Sequence, residues 1–342
     1  MIKASWHPSL LRFKHPFRIA SGMRAETPVV FVELQYEHIT GFGEAALPPY
    51  LKGTQETVAS FFSRIAFKET HHPAETEPLI EFVNGIDENN YPAKAAIDMA
   101  LHDLKGKLLK KPCYELFNLD KKNTPVTTYT IGMGEPKEII KKIKESGDFP
   151  LLKIKLGGKN DKETIRILRN ETDKSFCVDV NQGWNEKELA LDLIFYLKEN
   201  GAVFIEQPLD KKMKDDGLWL KEKSPLPLIA DESVQGIDDI EKIKDSFHGI
   251  NIKLMKCGGM REALRMIEKA RGYGLKIMIG CMSESSCGVS AAAQLTPLAD
   301  WADLDGPLLI SNDPFRGIEF EKGKIILSQK PGIGIIKVSQ PL

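Results

Sequence analysis

From about residue 125 the chain alternates, at a spacing near 25 residues, between short β-type runs and segments of helical composition. The runs fall at 126–131, 151–156, 176–180, 203–205, 226–230, 249–254, 276–279 and 301–304, and helical composition is clearest at 136–144, 162–170, 187–199 and 261–271. Eight strands alternating with seven helical segments predict parallel strands joined by right-handed crossovers, and eight such units close into a barrel. A doubly wound open sheet is the competing architecture, but it normally has fewer strands and a Gly-rich first turn. The expected fold class is therefore α/β, a modified TIM barrel of (β/α)7β type over residues 123–310.

Residues 1–122 read as an α+β capping domain. VVFVELQYE at 29–37 alternates like a strand, and the pattern resumes at 41–44 after a turn. Residues 92–110 open on Pro and place apolar residues at three-to-four spacing, as a packed helix does. The tail, 311–342, shows hairpin-like alternation at 317–338 and is expected to pack back on the capping domain and complete it. With 47 Lys+Arg against 48 Asp+Glu there is no basic excess to recruit nucleic acid or an anionic membrane. No stretch offers the roughly 18 apolar residues of a membrane span. The N-terminus lacks the apolar core of a signal peptide. Five cysteines without a C-x-x-C pair suit reduced thiols in a cytoplasmic protein.

The strand ends carry the chemistry. Strand two ends Lys153-Ile-Lys155, strand three Asp179-Val-Asn181, strand four Glu206-Gln-Pro208 and strand five Asp231-Glu232-Ser233. Strand six carries Asn251-Ile-Lys253 followed by Lys256, and strand eight ends Asp303-Leu-Asp305. Each group recurs at the same point of its unit, and in a barrel those points converge on the C-terminal mouth. Taken singly, such an Asp is most often a helix cap and such a Lys a solvated surface residue. Three carboxylates on consecutive strands, however, repel one another unless a cation sits between them. Hard oxygen ligands suit Mg²⁺, one per subunit. Strands two and six face each other across a barrel, so Lys155 and Lys253 would approach a bound molecule from opposite faces. A metal there stabilises the enediolate formed when an α-proton leaves a carboxylate substrate. A lysine beside other cations is expected to have its pKa pushed down, toward that of a useful base. Two bases on opposite faces remove a proton from one side and return one from the other, which inverts the carbon. Lys153 points the same way as Lys155 and adds positive charge at the carboxylate. Three lysines against five carboxylates (Asp179, Glu206, Asp231, Asp303, Asp305) leave a deficit of two charges, which one divalent cation closes.

These motifs resemble the enolase superfamily, its muconate-lactonizing-enzyme subgroup, and within that the dipeptide epimerases (L-Ala-D/L-Glu epimerase). The likeness covers nearly the whole chain. It rests on Gly41-Phe-Gly-Glu44, the K-x-K at 153 and 155, Asp179, Glu206 and Asp231 in VDVN, IEQP and ADES contexts, the stretch 251–259, Gly280-Cys-Met282 and Asp303-Leu-Asp-Gly-Pro307. The resemblance implies Lys155 and Lys253 as catalytic bases and Asp179, Glu206 and Asp231 as ligands of Mg²⁺. It also implies a dipeptide substrate whose free ammonium meets Asp303 and Asp305, with Lys153 and Met282 at the substrate and Asn181 and Lys256 around the metal and bases. The side chain of the second residue would be read by a capping-domain loop at 21–26, where Arg24 is placed to pair with a glutamate carboxylate and Met23 is the apolar alternative. The implied activity fits recycling of cell-wall peptide. An N-acylamino acid racemase or a cycloisomerase of the same subgroup is the alternative chemistry, and a non-catalytic barrel binding a small acid the alternative of another class. Homo-oligomerisation follows only by analogy with superfamily barrels.

Overall fold

Three antiparallel strands, β1 (Lys3–Ile19), β2 (Gly22–Tyr36) and β3 (Ile39–Ala46), form the N-terminal sheet in the order β1-β2-β3. The structure is a computed structural model that describes residues 1–19 and 22–338. β1 carries Pro8 and Pro16, which an edge strand tolerates because its outer amides have no partner strand. The strand expected at 29–37 is the second half of a longer one. Residues Gly22–Glu26 are not a loop: they extend β2 and pair with the end of β1 across a register shift between Arg12 and Phe17. Ser21 lies outside the described residues.

Helices α1 (Gln55–Ser63) and α3 (Tyr91–Leu109) pack on this sheet, and α2 (Thr76–Asn84) packs against α3. α3 is buried on nearly every side, because its small residues Ala93, Ala95, Ala96 and Ala100 let it sit between the sheet and the barrel. Asn90 caps its first turn and Lys110 ends it in the left-handed region (φ +55°). Gly41 and Gly43 of β3 lie so close to α3 that a Cβ on either would overlap the Ala100 or Ala96 carbonyl oxygen. That contact explains the spacing of the Gly41-Phe-Gly-Glu44 motif.

The barrel follows. Strands β4 (Tyr129–Ile131), β5 (Leu151–Lys155), β6 (Ser175–Asp179), β7 (Ala202–Glu206), β8 (Leu228–Ala230), β9 (Gly249–Lys253), β10 (Lys276–Gly280) and β11 (Trp301–Asp303) are parallel and adjacent in chain order. Helices Pro136–Glu145, Asp161–Glu171, Lys187–Glu199, Lys214–Lys223, Ile237–Ile243, Met260–Gly272 and Ser286–Ala293 fill the seven crossovers. Closure of β11 on β4 uses the Thr127–Ala302 bridge and the hydrogen bond from Thr128 N to Ala302 O. Register pairs Lys153 with Cys177, Lys155 with Asp179, and Asp179 with Glu206, so these side chains all point inward. Beneath the charged layer, Cys177, Phe204, Ile229 and Met278 plug the barrel, with Trp301 against Phe204.

The tail contributes two short antiparallel pairs, Phe315–Arg316 with Ile336–Lys337 and Glu319–Glu321 with Lys324–Ile326. It touches both parts of the chain. Ile333 N donates to Asp103 of α3, and Thr127 N beside β4 donates to Gly323 O. Among the described residues, no helix is long and apolar enough to cross a membrane.

Candidate active site

Ten of the twelve residues singled out from the sequence line one cavity of about 930 Å³ at the C-terminal ends of the barrel strands. They are Arg24, Lys153, Lys155, Asn181, Asp231, Lys253, Lys256, Met282, Asp303 and Asp305. The other two, Asp179 and Glu206, are fully buried at its floor. Every barrel strand except β4 delivers one or two of these side chains at or just past its end, because its inward positions end at the mouth, and Arg24 comes from β2 of the capping domain.

Asp179, Glu206 and Asp231 present carboxylate oxygens that all lie within 4.8 Å of one another. Lys153 Nζ, 1% exposed, sits 2.6 Å from Asp303 Oδ2, 2.8 Å from Glu206 Oε2 and 3.0 Å from Asp179 Oδ2. Lys155 Nζ donates to Asp179 Oδ2 at 2.6 Å and to Asn181 Oδ1 at 3.3 Å. On the other side Lys253 Nζ donates to Asp231 Oδ2 at 2.8 Å. Lys256 Nζ donates to Asp231 Oδ1 at 2.5 Å and to its carbonyl at 2.7 Å. Since β5 and β9 are four strands apart in an eight-stranded barrel, Lys155 and Lys253 flank the triad from opposite walls.

The electrostatics follow from this packing. Burial pushes the Glu206 carboxyl up to about 7, and the charge of Asp179 adds to the effect. Burial also raises Asp179, but Lys153 and Lys155 outweigh it and hold that group at about 2. Asp231 falls far below the carboxylate range, since Lys253 and Lys256 overcome its burial. The lysine expectation is reversed for Lys253. Burial lowers its pKa, but Asp231 and Glu206 more than compensate, and it stands well above the ordinary value. The downward shift belongs instead to Lys256, through burial.

A divalent cation fits this donor set. Three hard carboxylates converge, and Glu206 Oε2 is buried outside hydrogen-bonding geometry despite the nearby Lys153. The deficit of two charges expected from the sequence does not hold for the whole lining. Arg24, Lys52, Lys211 and Lys256 on one side and Asp87 and Glu232 on the other also line the cavity, giving seven basic residues against seven carboxylates once the buried Asp179 and Glu206 are included.

Above the floor, Asp303 Oδ1 accepts from Thr128 Oγ1 at 2.7 Å and Asp305 Oδ2 from Thr130 N at 2.6 Å. Burial pushes the Asp305 carboxyl up to about 7, with Asp303 adding to it. Met282 Sδ accepts from Tyr50 Oη at 2.9 Å, which ties the capping domain to the barrel rim. Arg24 Nη2 donates to Ser283 Oγ at 3.2 Å, while its Nη1 is buried without a partner. Met23 is 60% exposed and lies outside this cavity.

Sequence reasoning gave no role to Tyr50, Glu232 or Asn251. Asn251 Nδ2 donates to Glu206 Oε1 at 2.8 Å, and Glu232 Oε1 accepts from Asn181 Nδ2 at 3.1 Å. Both stand in strand-end motifs already quoted, so position alone was the signal. Tyr50 sits in a segment without periodicity, and nothing in the sequence marks it. Asn181 (φ +46°), Gln182 (φ +66°) and Gln207 (φ +39°) all occupy the left-handed region just past β6 and β7, where backbone strain concentrates at functional sites.

Comparison with known proteins agrees with this geometry. The family description "Mandelate racemase / muconate lactonizing enzyme, N-terminal domain" matches residues 2–117, and "Enolase C-terminal domain-like" matches residues 137–336. A curated relative, the L-Ala-D/L-Glu epimerase of Bacteroides thetaiotaomicron, is 48% identical over 338 residues, covering 98% of this chain and 88% of its own. The dipeptide epimerase of Cytophaga hutchinsonii, solved with Mg and D-Ala-L-Val, superposes with a TM-score of 0.90 at 25% identity, over 98% of this chain and 95% of that one. The substrate-liganded L-Ala-D/L-Glu epimerase of Bacillus subtilis gives 0.90 at 26% identity, over 98% of each chain. A capping domain joined to a (β/α)7β barrel, with a carboxylate triad at its mouth and both family descriptions matched in order, establishes that this chain belongs to the mandelate racemase and muconate lactonizing enzyme branch of the enolase superfamily.

Proposed function

We propose that the chain is a Mg²⁺-dependent dipeptide epimerase that inverts the α-carbon of the C-terminal residue of L-Ala-D/L-Glu or a similar dipeptide. The observation that carries the reading is one cavity in which Lys155 and Lys253 flank the triad from opposite walls while Asp303 and Asp305 stand at the rim. Asp179, Glu206 and Asp231 would hold the ion, one per subunit. Bound there, it supplies the charge that stabilises a substrate carboxylate as negative charge builds, and it draws carboxylate charge away from the neighbouring lysines.

The chain's own residues do the rest. One lysine of the pair takes the α-proton, and the other returns a proton to the opposite face. Lys153, held among Asp179, Glu206 and Asp303, keeps positive charge at the floor and fixes Asp303 in place. A substrate ammonium at Asp303 and Asp305 would relieve the repulsion that raises Asp305. That demand for a cation favours a free amino terminus over an N-acyl group, and so favours a dipeptide over N-acylamino acids. Arg24 offers a buried, unpartnered N–H to a side-chain carboxylate on the second residue. Buried, unpaired thiols at all five cysteines suit a cytoplasmic enzyme, and the substrate class suits recycling of cell-wall peptide.

The test is exchange of the α-proton of L-Ala-L-Glu in D₂O with Mg²⁺, read by NMR together with inversion. Deuterium should enter as the product epimer appears. Lys155→Ala and Lys253→Ala should each stop epimerisation, losing at least about 10²–10⁴-fold in rate. Full activity in either variant, or no exchange for any dipeptide, would sink the reading.

A further inference from the structure

Lys155 and Lys253 are anchored differently. Lys253 Nζ donates to Asp231 Oδ2. Lys155 Nζ donates twice, to Asp179 Oδ2 at 2.6 Å and to Asn181 Oδ1 at 3.3 Å. An ammonium group has three N–H directions. With two of them fixed by acceptors on one strand end, the third is set by tetrahedral geometry. That third direction is the one left to exchange a proton with a substrate.

Asn181 is itself held from two sides. Its backbone N donates to Asp179 Oδ1 at 3.0 Å, and its left-handed backbone (φ +46°) turns the side chain back toward the barrel axis. Its amide Nδ2 donates to Glu232 Oε1 at 3.1 Å, across from β6 to the end of β8. Because an amide is rigid and planar, fixing Nδ2 also fixes Oδ1, the atom that meets Lys155. Glu232 is largely buried and lines the cavity, and its Oε2 has no hydrogen-bond partner, so one oxygen is committed to Asn181.

We propose that Glu232 is a positioning residue that acts through Asn181 to aim the Lys155 amine, and so controls proton transfer on one face of the substrate only. The inference rests on the two-base reading above and deepens it. Glu232 would touch neither the α-carbon nor its proton. On the other face Lys253 is anchored by Asp231, which Lys256 holds in turn, and no side-chain hydrogen bond among the described residues links that chain to Glu232, so α-proton exchange of the two epimers should respond unequally.

The experiment measures α-deuteration in D₂O with Mg²⁺, starting separately from L-Ala-L-Glu and from L-Ala-D-Glu. Lys155→Ala first identifies the epimer whose exchange depends on that lysine. For that epimer, Glu232→Ala should slow exchange about 10- to 100-fold, while exchange of the other changes less than about 3-fold. Glu232→Gln keeps an acceptor oxygen for Asn181 Nδ2 and should restore the exchange to within about 3-fold. Asn181→Ala should reproduce the asymmetric loss, and the double variant should be no worse than the single ones, since both act through one relay. Mg²⁺ titration and thermal unfolding of each variant report whether Glu232 acts through its neighbour Asp231 instead. Equal loss for both epimers, weakened Mg²⁺ binding that accounts for the loss, or no loss at all overturns the positioning role and leaves the epimerase reading standing. Absence of exchange by the unaltered protein overturns that reading, and this inference with it.

Discussion

Arg24 holds its guanidinium between the rings of Phe13 and Tyr50, each 5.8 Å away, with Nη2 on Ser283 and Nη1 unpartnered. A buried N–H without an acceptor is costly unless a ligand supplies one. The loss of Arg24 should therefore be selective. Arg24→Ala is expected to lower kcat/KM for Xaa-Glu dipeptides about 10- to 100-fold, mostly through KM, and to leave dipeptides with an apolar second residue nearly unchanged. A panel of dipeptides assayed in D₂O by mass spectrometry checks this, and uniform loss across the panel would refute it. At this scale the sequence is legible wherever a residue repeats the position of another. Lys155, Asp179, Glu206, Asp231 and Lys253 stand out because each closes a strand. Arg24 and Tyr50 come from a hairpin and a turn of the capping domain, and only folding brings them over the barrel mouth.

Elements were legible to the extent that their pattern was unmixed. The eight barrel strands are short, apolar and evenly spaced, and their bounds shift by no more than a few residues between expectation and structure. β1 escaped notice because its exposed face is polar and two prolines interrupt it. The hairpin tip at Gly22–Glu26 looks like a loop in sequence, since Gly22 and the charged residues around it have no apolar face to bury. The Gly41-Phe-Gly-Glu44 strand is the opposite case, a motif whose glycines have a packing reason. Adding a methyl at Gly43 drives it into the Ala96 carbonyl, which is helix backbone and cannot swing aside. Gly43→Ala should cost about 1–3 kcal/mol of stability, seen as a lower urea midpoint with an unchanged slope. Gly147, around which nothing lies within 4 Å, is the wrong control because its φ is +47°. Gly272→Ala, in open space at the last residue of helix Met260–Gly272, should be neutral or slightly stabilising.

At the scale of the molecule, the capping domain is keyed to the barrel by a buried acidic contact. Glu44 of β3 accepts from Ser285 N, Ser285 Oγ and Gly288 N, at the start of helix Ser286–Ala293. Burial pushes the Glu44 carboxyl up to about 7, although those donors and the helix terminus favour its charged form and oppose the shift. Glu284 lies beside it, accepts from Met282 N at 2.6 Å through Oε1, and leaves Oε2 buried without a partner. Burial, and then the charge of Glu44, push the Glu284 carboxyl up to about 8, so in the folded protein it holds a proton at neutral pH. In the unfolded chain the same group titrates near its ordinary 4.5. Between those values the folded state binds more protons than the unfolded one, so unfolding releases a proton and stability falls as pH rises. The slope from this group is on the order of 1 kcal/mol per pH unit across that window, and it vanishes above the folded value once both states are ionised. Glu284→Gln keeps the shape and an acceptor for Met282 N while removing the titration. Its melting temperature should accordingly depend less on pH between about 5 and 8 than that of the unaltered protein, with the gain greatest at the alkaline end. Parallel curves for the two proteins would show that Glu284 is ionised in the fold across this window and would refute the shift.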